Sequence, residues 1–358
     1  MRTAFAAPLF LTVLALAASP AQAGARGFTG DRPVTLRDYL PHPMDTEGYS
    51  EQWHFAHETG EGRYLNFQME LTNTGVGDAK GRMKIRFKGP DGKKIHKSKR
   101  CKVRGRIDEG QAVLSCGGLV IRSDLDGYTA EYKTRKLEMK ARVRASVPPW
   151  RPGDGRVRLN KKGDDFYDIL LTVPRGRLEA TVLAEGTSHR VAGIAYATHS
   201  FSSVSPDEVA KNWIRFKRLD EQSSLVFATL RTPSGARMGY AMIADEQGRM
   251  LASASPRIEL KQGFPAPNRK KYKVPAEIVI AAAEGQDALA VHVLGGYIRK
   301  VKDPLKGLSS VERFVAQRFS DPFGYSMSGV FRVRWERQGA EPLEFEDDGG
   351  YLVEHINP

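Results

Sequence analysis

The sequence predicts an all-β protein of antiparallel sheet, sandwich or barrel, in two successive units with a few short helices. Three observations lead there. Beyond residue 45 the apolar residues recur mostly with period two, the spacing of a strand with one face buried. Short Gly-, Asp- and Pro-containing turns interrupt these runs, as hairpin connections would. The pattern breaks at Glu185-Gly186-Thr187-Ser188, leaving about 160 residues on either side, enough for roughly eight to ten strands each. The expected organisation is residues 1–23 as a signal peptide, 24–188 as a first barrel and 189–358 as a second.

Arg82-Met83-Lys84-Ile85-Arg86-Phe87-Lys88 alternates without a break before Gly89-Pro90-Asp91-Gly92 turns the chain. Leu137, Met139, Ala141 and Val143 alternate with Glu138, Lys140, Arg142 and Arg144. Further strands are expected over 63–71, 166–173, 176–184, 190–198, 224–231, 236–244, 287–299 and 326–336, with turns at Thr232-Pro233-Ser234-Gly235 and Asp245-Glu246-Gln247-Gly248. Two helices are expected. Ser205-Pro206-Asp207-Glu208 has a capping Ser, an early Pro and a Glu three residues after the cap. Ser309-Ser310-Val311-Glu312 is a second capping box, and Val311, Phe314, Val315 and Phe319 beyond it share one face, as a helix packed on a sheet would.

The N-terminus reads as a cleaved export signal: Arg2, an apolar core over 9–16, and Ala21-Gln22-Ala23 before Gly24. The core falls short of the ~20 residues a spanning helix needs. Without Cys at the cleavage point no lipid anchor is indicated, so a periplasmic or secreted protein is expected. Export gives the two cysteines meaning. Cys101 and Cys116 flank the turn signal Asp108-Glu109-Gly110, and a hairpin there would bring them nearly opposite one another. A disulfide is expected, contributing about 3 kcal/mol through loop closure.

Composition excludes collagen-like and low-complexity classes, with Gly 35 and Pro 20 near average. The formal net charge of +13 is local: residues 82–106 hold twelve Lys/Arg and one acid, Asp91. No Gly-x-Ser-x-Gly elbow, His-Glu-x-x-His helix, phosphate loop or dinucleotide fingerprint is present. No cofactor is expected.

Two polar-aromatic clusters carry the candidate chemistry. In Glu51-Gln52-Trp53-His54-Phe55-Ala56-His57, a strand sends Glu51, Trp53 and Phe55 to one face and Gln52, His54 and Ala56 to the other. His54 and His57 then point apart, and no metal site is expected. A buried Glu51 has two readings. Either its pKa is raised and it serves as an acid or holds a ligand hydroxyl, or it pairs with an arginine while Trp53 closes the barrel floor. In Gly193-Ile194-Ala195-Tyr196-Ala197-Thr198-His199, Tyr196 and Thr198 share a face, with His199 opposite or at the strand's end.

In this second cluster, in Glu51 to Gln68, in Pro148-Pro149-Trp150-Arg151-Pro152-Gly153-Asp154-Gly155, and in the closing strands Tyr325 to Trp335 and Gly350 to Ile356, the chain resembles the survival-factor branch of the lipocalin-like superfamily. That superfamily also holds carotenoid 1,2-hydratases and fungal Diels–Alderases. The resemblance implies two lipocalin-like barrels with an apolar cavity or cleft for a long-chain lipid, a sphingolipid such as ceramide, or a polyprenoid. It makes Glu51, Trp53, Phe55, Tyr64, Phe67, Tyr196, His199 and Trp213 the ligand-binding set. The enzymatic relatives often carry an Asp-His pair where this chain has Thr198-His199, which removes the obvious carboxylate partner of His199.

The primary expectation is therefore an exported lipid-binding or lipid-transfer protein. The alternative is a hydratase or cyclase protonating an alkene, with Glu51 or His199 as the acid and Trp53, Tyr196 or Trp213 facing the cation. Arg82, Lys84, Arg86, Lys88, Lys102, Arg104 and Arg106 are the expected contacts to an anionic membrane, at about 1 kcal/mol per basic residue. Nucleic acid would use the same charges, but export and the lack of interleaved aromatics argue against it.

Overall fold

The computed structural model describes residues 27–58, 62–73, 79–267, 269–306 and 321–356. The expected signal peptide and the helix expected after Ser309 fall outside the described residues. The strands form two curled antiparallel sheets, one per barrel.

In the first sheet lie β1 (Ser50–Glu58), β2 (Tyr64–Thr72), β3 (Lys80–Lys88), β4 (Lys94–Cys101), β5 (Arg104–Asp108), β6 (Gln111–Cys116), β7 (Leu119–Ser123), β8 (Gly127–Lys133), β9 (Leu137–Ala145), the short β10 (Arg156–Arg158), β11 (Phe166–Ala184) and β12 (Thr187–Ser202). Its order is β4-β3-β2-β1-β12-β11-β9-β8-β7-β6-β5, with β10 beside β11. The second sheet comprises β13 (Asn212–Leu219), β14 (Ser223–Arg231), β15 (Arg237–Asp245), β16 (Met250–Ser253), β17 (Arg257–Ala266), β18 (Arg269–Glu284), β19 (Asp287–Lys302), β20 (Phe323–Arg337) and β21 (Ala340–His355), ordered β16-β15-β14-β13-β21-β20-β19-β18-β17. Both follow one plan, in which the first strand of the unit pairs with its second and its last.

The alternating runs become strands with alternating burial: in β3, Met83, Ile85 and Phe87 point inward between outward Arg and Lys. Each barrel interior holds a cluster of buried apolar side chains, the first around Trp53, Phe55, Phe67, Met69 and Met139, the second around Phe216, Phe227, Phe331 and Trp335. A third apolar layer, including Ile169, Leu171, Tyr196, Val226, Tyr240 and Met242, packs the two sheets together. Buried Arg175 fastens that contact, donating to the carbonyls of Asp220 and Glu221 and to Ser224 Oγ.

The expected boundary at 188/189 falls inside the β11–β12 hairpin. Glu185 and Gly186 both have positive φ, the signature of a tight two-residue hairpin turn, so the break in pattern there marks a turn within one sheet. The chain passes to the second barrel only after Ser202, through the one-turn helix α1 (Pro206–Val209), where the Ser205 N–H and hydroxyl donate to Glu208 as the capping box requires. The Glu109-Gly110 turn forms the expected β5–β6 hairpin, and Cys101 is bonded to Cys116 with their Cα atoms 5.4 Å apart. The bond ties the end of β4, at one edge of the sheet, to β6 near the other edge, closing the barrel covalently. Among the described residues no helix is long and apolar enough to cross a membrane.

Candidate functional site

The site lies inside the first barrel, under the segment that precedes β1. This strap begins with a 3-10 turn, Leu36–Tyr39, and runs through Pro41-His42-Pro43 to Tyr49. It is held down by directional bonds. The Tyr39 hydroxyl donates to the Thr172 carbonyl, which lies in an irregular stretch of β11, and the Tyr39 carbonyl accepts from Trp53 Nε1 at 2.8 Å. Asp38 is gripped by buried Arg151 at 2.8 Å and by the Thr35 N–H at 2.7 Å. Burial works against ionisation of Asp38, but Arg151 and Thr35 outweigh it and hold its carboxyl below the usual range.

Beneath the strap, β1 and β12 run antiparallel with Trp53 opposite His199 and Glu51 opposite Phe201. This register puts Glu51 diagonally beside His199, both 2% exposed. His199 Nε2 lies 2.7 Å from Glu51 Oε1, and its Nδ1 lies 2.7 Å from the Asp38 carbonyl. Glu51 Oε2 accepts from the Tyr49 hydroxyl at 2.5 Å and from the His42 N–H at 2.9 Å, while His42 Nδ1 sits 3.0 Å from Oε1. The rings form a stack: His199 on Trp53 at 4.6 Å between centroids, and His42 on Phe201 at 4.7 Å. His42 is the member that reaches solvent, its side chain 35% exposed.

The electrostatics of Glu51 differ from the expected raised pKa. Burial does push the carboxyl up, but hydrogen bonds from His199 and His42, the His199 charge and the Tyr49 bond outweigh it and bring the group down to about 2. Burial and the adjoining carboxylate push the Tyr49 phenol up. Nor is the Glu51 partner an arginine: two imidazoles and a phenol fill that role. The carboxylate that Thr198-His199 lacks is thus supplied by the neighbouring strand. A second buried carboxyl, Asp168 on β11, stands opposite Phe201, is pushed up by burial, and is answered by Arg156 at 3.3 Å.

The sequence-expected ligand set divides three ways. Glu51, Trp53 and His199 come together, and Phe55 stacks on Phe67 at 4.2 Å deeper in the same interior. Tyr196 and Trp213 face the layer between the sheets, away from Glu51, and Trp213 packs edge-on to Tyr167. Tyr64 points outward to a hollow of about 80 Å³ shared with His57, Arg63, Lys88 and Arg190. His42, Tyr49, Asp38, Arg151 and Asp168 were not anticipated. Arg151 lies within a segment that carried the family resemblance, and Pro41 and Pro43 on either side of His42 are the one local hint that this stretch is held extended.

The basic residues lie apart from this site. Arg82, Lys84, Arg86 and Lys88 form the outward row of β3, with Arg100 opposite Arg82 and Lys94 opposite Lys88 on β4. Lys84 is paired with Glu70 at 2.7 Å. Arg104 and Arg106 are exposed on β5, and Lys102 lies in the link between β4 and β5.

No family model and no curated protein matches the sequence. Solved structures do match. A protein from Nitrosomonas europaea described as an AttH is similar over 95% of this chain and 100% of its own, at 16% identity and a TM-score of 0.52. CghA with Sch210972 is similar over 87% of this chain and 88% of its own, at 9% identity and a TM-score of 0.52. Kievitone hydratase from Nectria haematococca covers 92% of this chain and 97% of its own, at 10% identity and a TM-score of 0.46. At these identities the first two likenesses are of fold alone, and the fold they support is a tandem pair of lipocalin-like barrels.

Proposed function

We propose that this protein is an enzyme that transfers a proton to or from an apolar, unsaturated small molecule at the mouth of the first barrel, by addition, elimination or cyclisation. One observation carries the reading. Both nitrogens of buried His199 face acceptors, the Asp38 carbonyl and the Glu51 carboxylate, each at 2.7 Å. A neutral ring beside an ionised carboxylate would leave one of these contacts repulsive, so a proton resides in the Glu51–His199 contact. His199 is the group to deliver it, Glu51 the counter-charge that holds it, and Trp53 an aromatic face beside any cation formed. CghA, of the same fold, has been solved with a small molecule, Sch210972, which supports small-molecule recognition here.

Lipid carriage, the expectation from the survival-factor resemblance, requires room for a long chain. Both barrel interiors hold clusters of buried apolar side chains, and the Glu51–His199 pair gives the first of them chemical equipment that enclosure of an acyl chain does not need. The test is incubation with long-chain polyenes and prenylated phenols in deuterated water, reading deuterium in the product by mass spectrometry. Wild-type protein should incorporate label, whereas His199→Ala and Glu51→Gln should lose at least about a hundredfold in rate, the lower range for a general acid. Equal labelling by wild type and both variants would remove these residues from the chemistry. Lipid co-purifying at one equivalent without turnover would restore the carrier.

A further inference from the structure

We infer that His42 Nδ1, Glu51 Oε1 and His199 Nε2 form a site for one divalent transition ion of the zinc class. The three atoms lie within 4.8 Å of one another. They are two imidazole nitrogens and one carboxylate oxygen, a donor set that such ions take with bonds of about 2.0–2.2 Å. They come from three separate elements, the strap, β1 and β12, so no local spacing in the sequence announces them. Around a tetrahedral ion neighbouring donors stand roughly 3.3 Å apart, a value that follows from those bond lengths. Here His42 Nδ1 and His199 Nε2 stand 3.0 and 2.7 Å from Glu51 Oε1, so the ion is admitted by a separation of a few tenths of an ångström together with a rotation that turns the carboxylate oxygen off the line of each ring lone pair.

The surrounding contacts are those that metal ligands need. The Asp38 carbonyl takes the His199 Nδ1–H and leaves the Nε2 lone pair aimed at Glu51. Tyr49 donates to Oε2 and the His42 N–H is shared between Oε2 at 2.9 Å and Oε1 at 3.2 Å, while both imidazole nitrogens converge on Oε1, which marks it as the ligand atom. Three protein donors with a partly exposed His42 leave one coordination position for water, the arrangement of reactive rather than structural zinc sites. The ion replaces the proton of the His199–Glu51 contact, so binding releases a proton and weakens as pH falls. It also joins the strap to the barrel wall. This inference rests on the pair that the proton-transfer reading uses, and the ion-loaded state excludes the proton-delivering one because both need His199 Nε2; its test reads binding rather than turnover, so either reading can fail alone.

The experiment is titration of tag-free, EDTA-treated, full-length protein with ZnCl2 by calorimetry, and with CoCl2 by visible absorption. One equivalent should bind with proton release, and Co2+ should give the intense bands of four-coordinate geometry. His42→Ala, on the partly exposed strap, should lose at least about a hundredfold in affinity, and Tyr49→Phe about ten- to a hundredfold, as loss of a supporting partner does. His96→Ala, at an exposed histidine of β4, should bind as wild type. Long-range nitrogen spectra of wild-type histidines should show Nδ1 ligation at one ring and Nε2 at another, a readout independent of variant folding. No binding by wild type, or equal affinity in His42→Ala, would overturn the site.

Discussion

The two barrels end alike and differ in one partner. Each closes its first strand on its last and places a histidine near the end of that last strand, His199 opposite Trp53 and His355 opposite Asn212. Each histidine stacks on an aromatic ring, His199 on Trp53 at 4.6 Å and His355 on Tyr272 at 4.4 Å. His355 Nε2 contacts the Lys273 carbonyl, and burial brings its pKa down to about 4 despite that bond. His199 instead meets a carboxylate. On the first strands, Glu51 and Trp53 point inward in β1, whereas Ile214 and Phe216 do so in β13. One fold plan thus yields a ring set against a backbone carbonyl in one barrel and a ring set against a carboxylate in the other, and the carboxylate makes the difference.

The comparison is broken most directly at that carboxylate. Glu51→Ala leaves His42, Tyr49 and His199 without their shared acceptor in a buried site, and should cost about 3–5 kcal/mol. His355→Phe keeps the stack on Tyr272 and should cost about 1 kcal/mol, the value of one hydrogen bond. Urea denaturation of the two variants measures both. Equal costs would mean that Glu51 is no more special than His355.

Next in size is the disulfide. It joins edge to edge in the first barrel, and the described residues of the second hold no counterpart. Replacing Cys101 and Cys116 by Ser should remove about 3 kcal/mol, the loop-closure value for a separation of 15. The loss should fall on the first barrel, so hydrogen exchange should accelerate in β3 to β7 and stay unchanged in β18 to β21.

Acid should then separate the buried histidines from Glu51 by pH. His355 falls from an ordinary 6.5 to about 4, so the unfolded chain binds more protons in that interval and stability declines as pH drops from 6.5 towards 4. His54, pushed down to about 3 by burial and by Lys217, Arg215 and Arg86, adds to the same decline and extends it towards 3. Glu51 contributes stability above its ordinary 4.5 that is lost as pH falls through about 2. His355→Phe should flatten the upper part of the stability curve and Glu51→Gln the lower. A single slope unchanged by either variant would contradict the assignment.

The alternation of polar and apolar residues was enough to place Glu51, Trp53 and Phe55 on one face and to set His199 against Tyr196. It could not pair Glu51 with His199, because their contact depends on the register between strands 148 residues apart. Period two also says nothing about which face of a strand is the barrel interior. Tyr196 and Trp213, sound as buried aromatics, therefore turn out to pack between the sheets. His42 was illegible for a different reason: it belongs to an aperiodic strap whose position is fixed by Asp38, Tyr39 and their distant partners. The break at Glu185-Gly186 was legible as an interruption of the strand pattern. What local sequence could not say was whether it separated strands or barrels.

The smallest effect concerns the outer surfaces. The first barrel carries the excess charge, and on β3 and β4 it forms a flat field in which Arg82 faces Arg100 and Lys88 faces Lys94, with Glu70 bound to Lys84. The second barrel's described surface is instead laced with opposite-sign pairs, such as Arg332 with Glu346 and Arg334 with Glu344. If the field serves an anionic membrane, vesicles containing phosphatidylglycerol should retain the protein at low salt. Arg82→Glu with Arg86→Glu should weaken that retention by about 1 kcal/mol per charge lost, and somewhat more per reversal. Reversing Arg332 and Arg334 should change little, since their charge is already answered within the sheet. Retention should fade as salt shortens the screening length below about 10 Å. Equal binding by both double variants would assign the field to solubility, and would leave the Glu51–His199 contact as the difference between the barrels that bears on function.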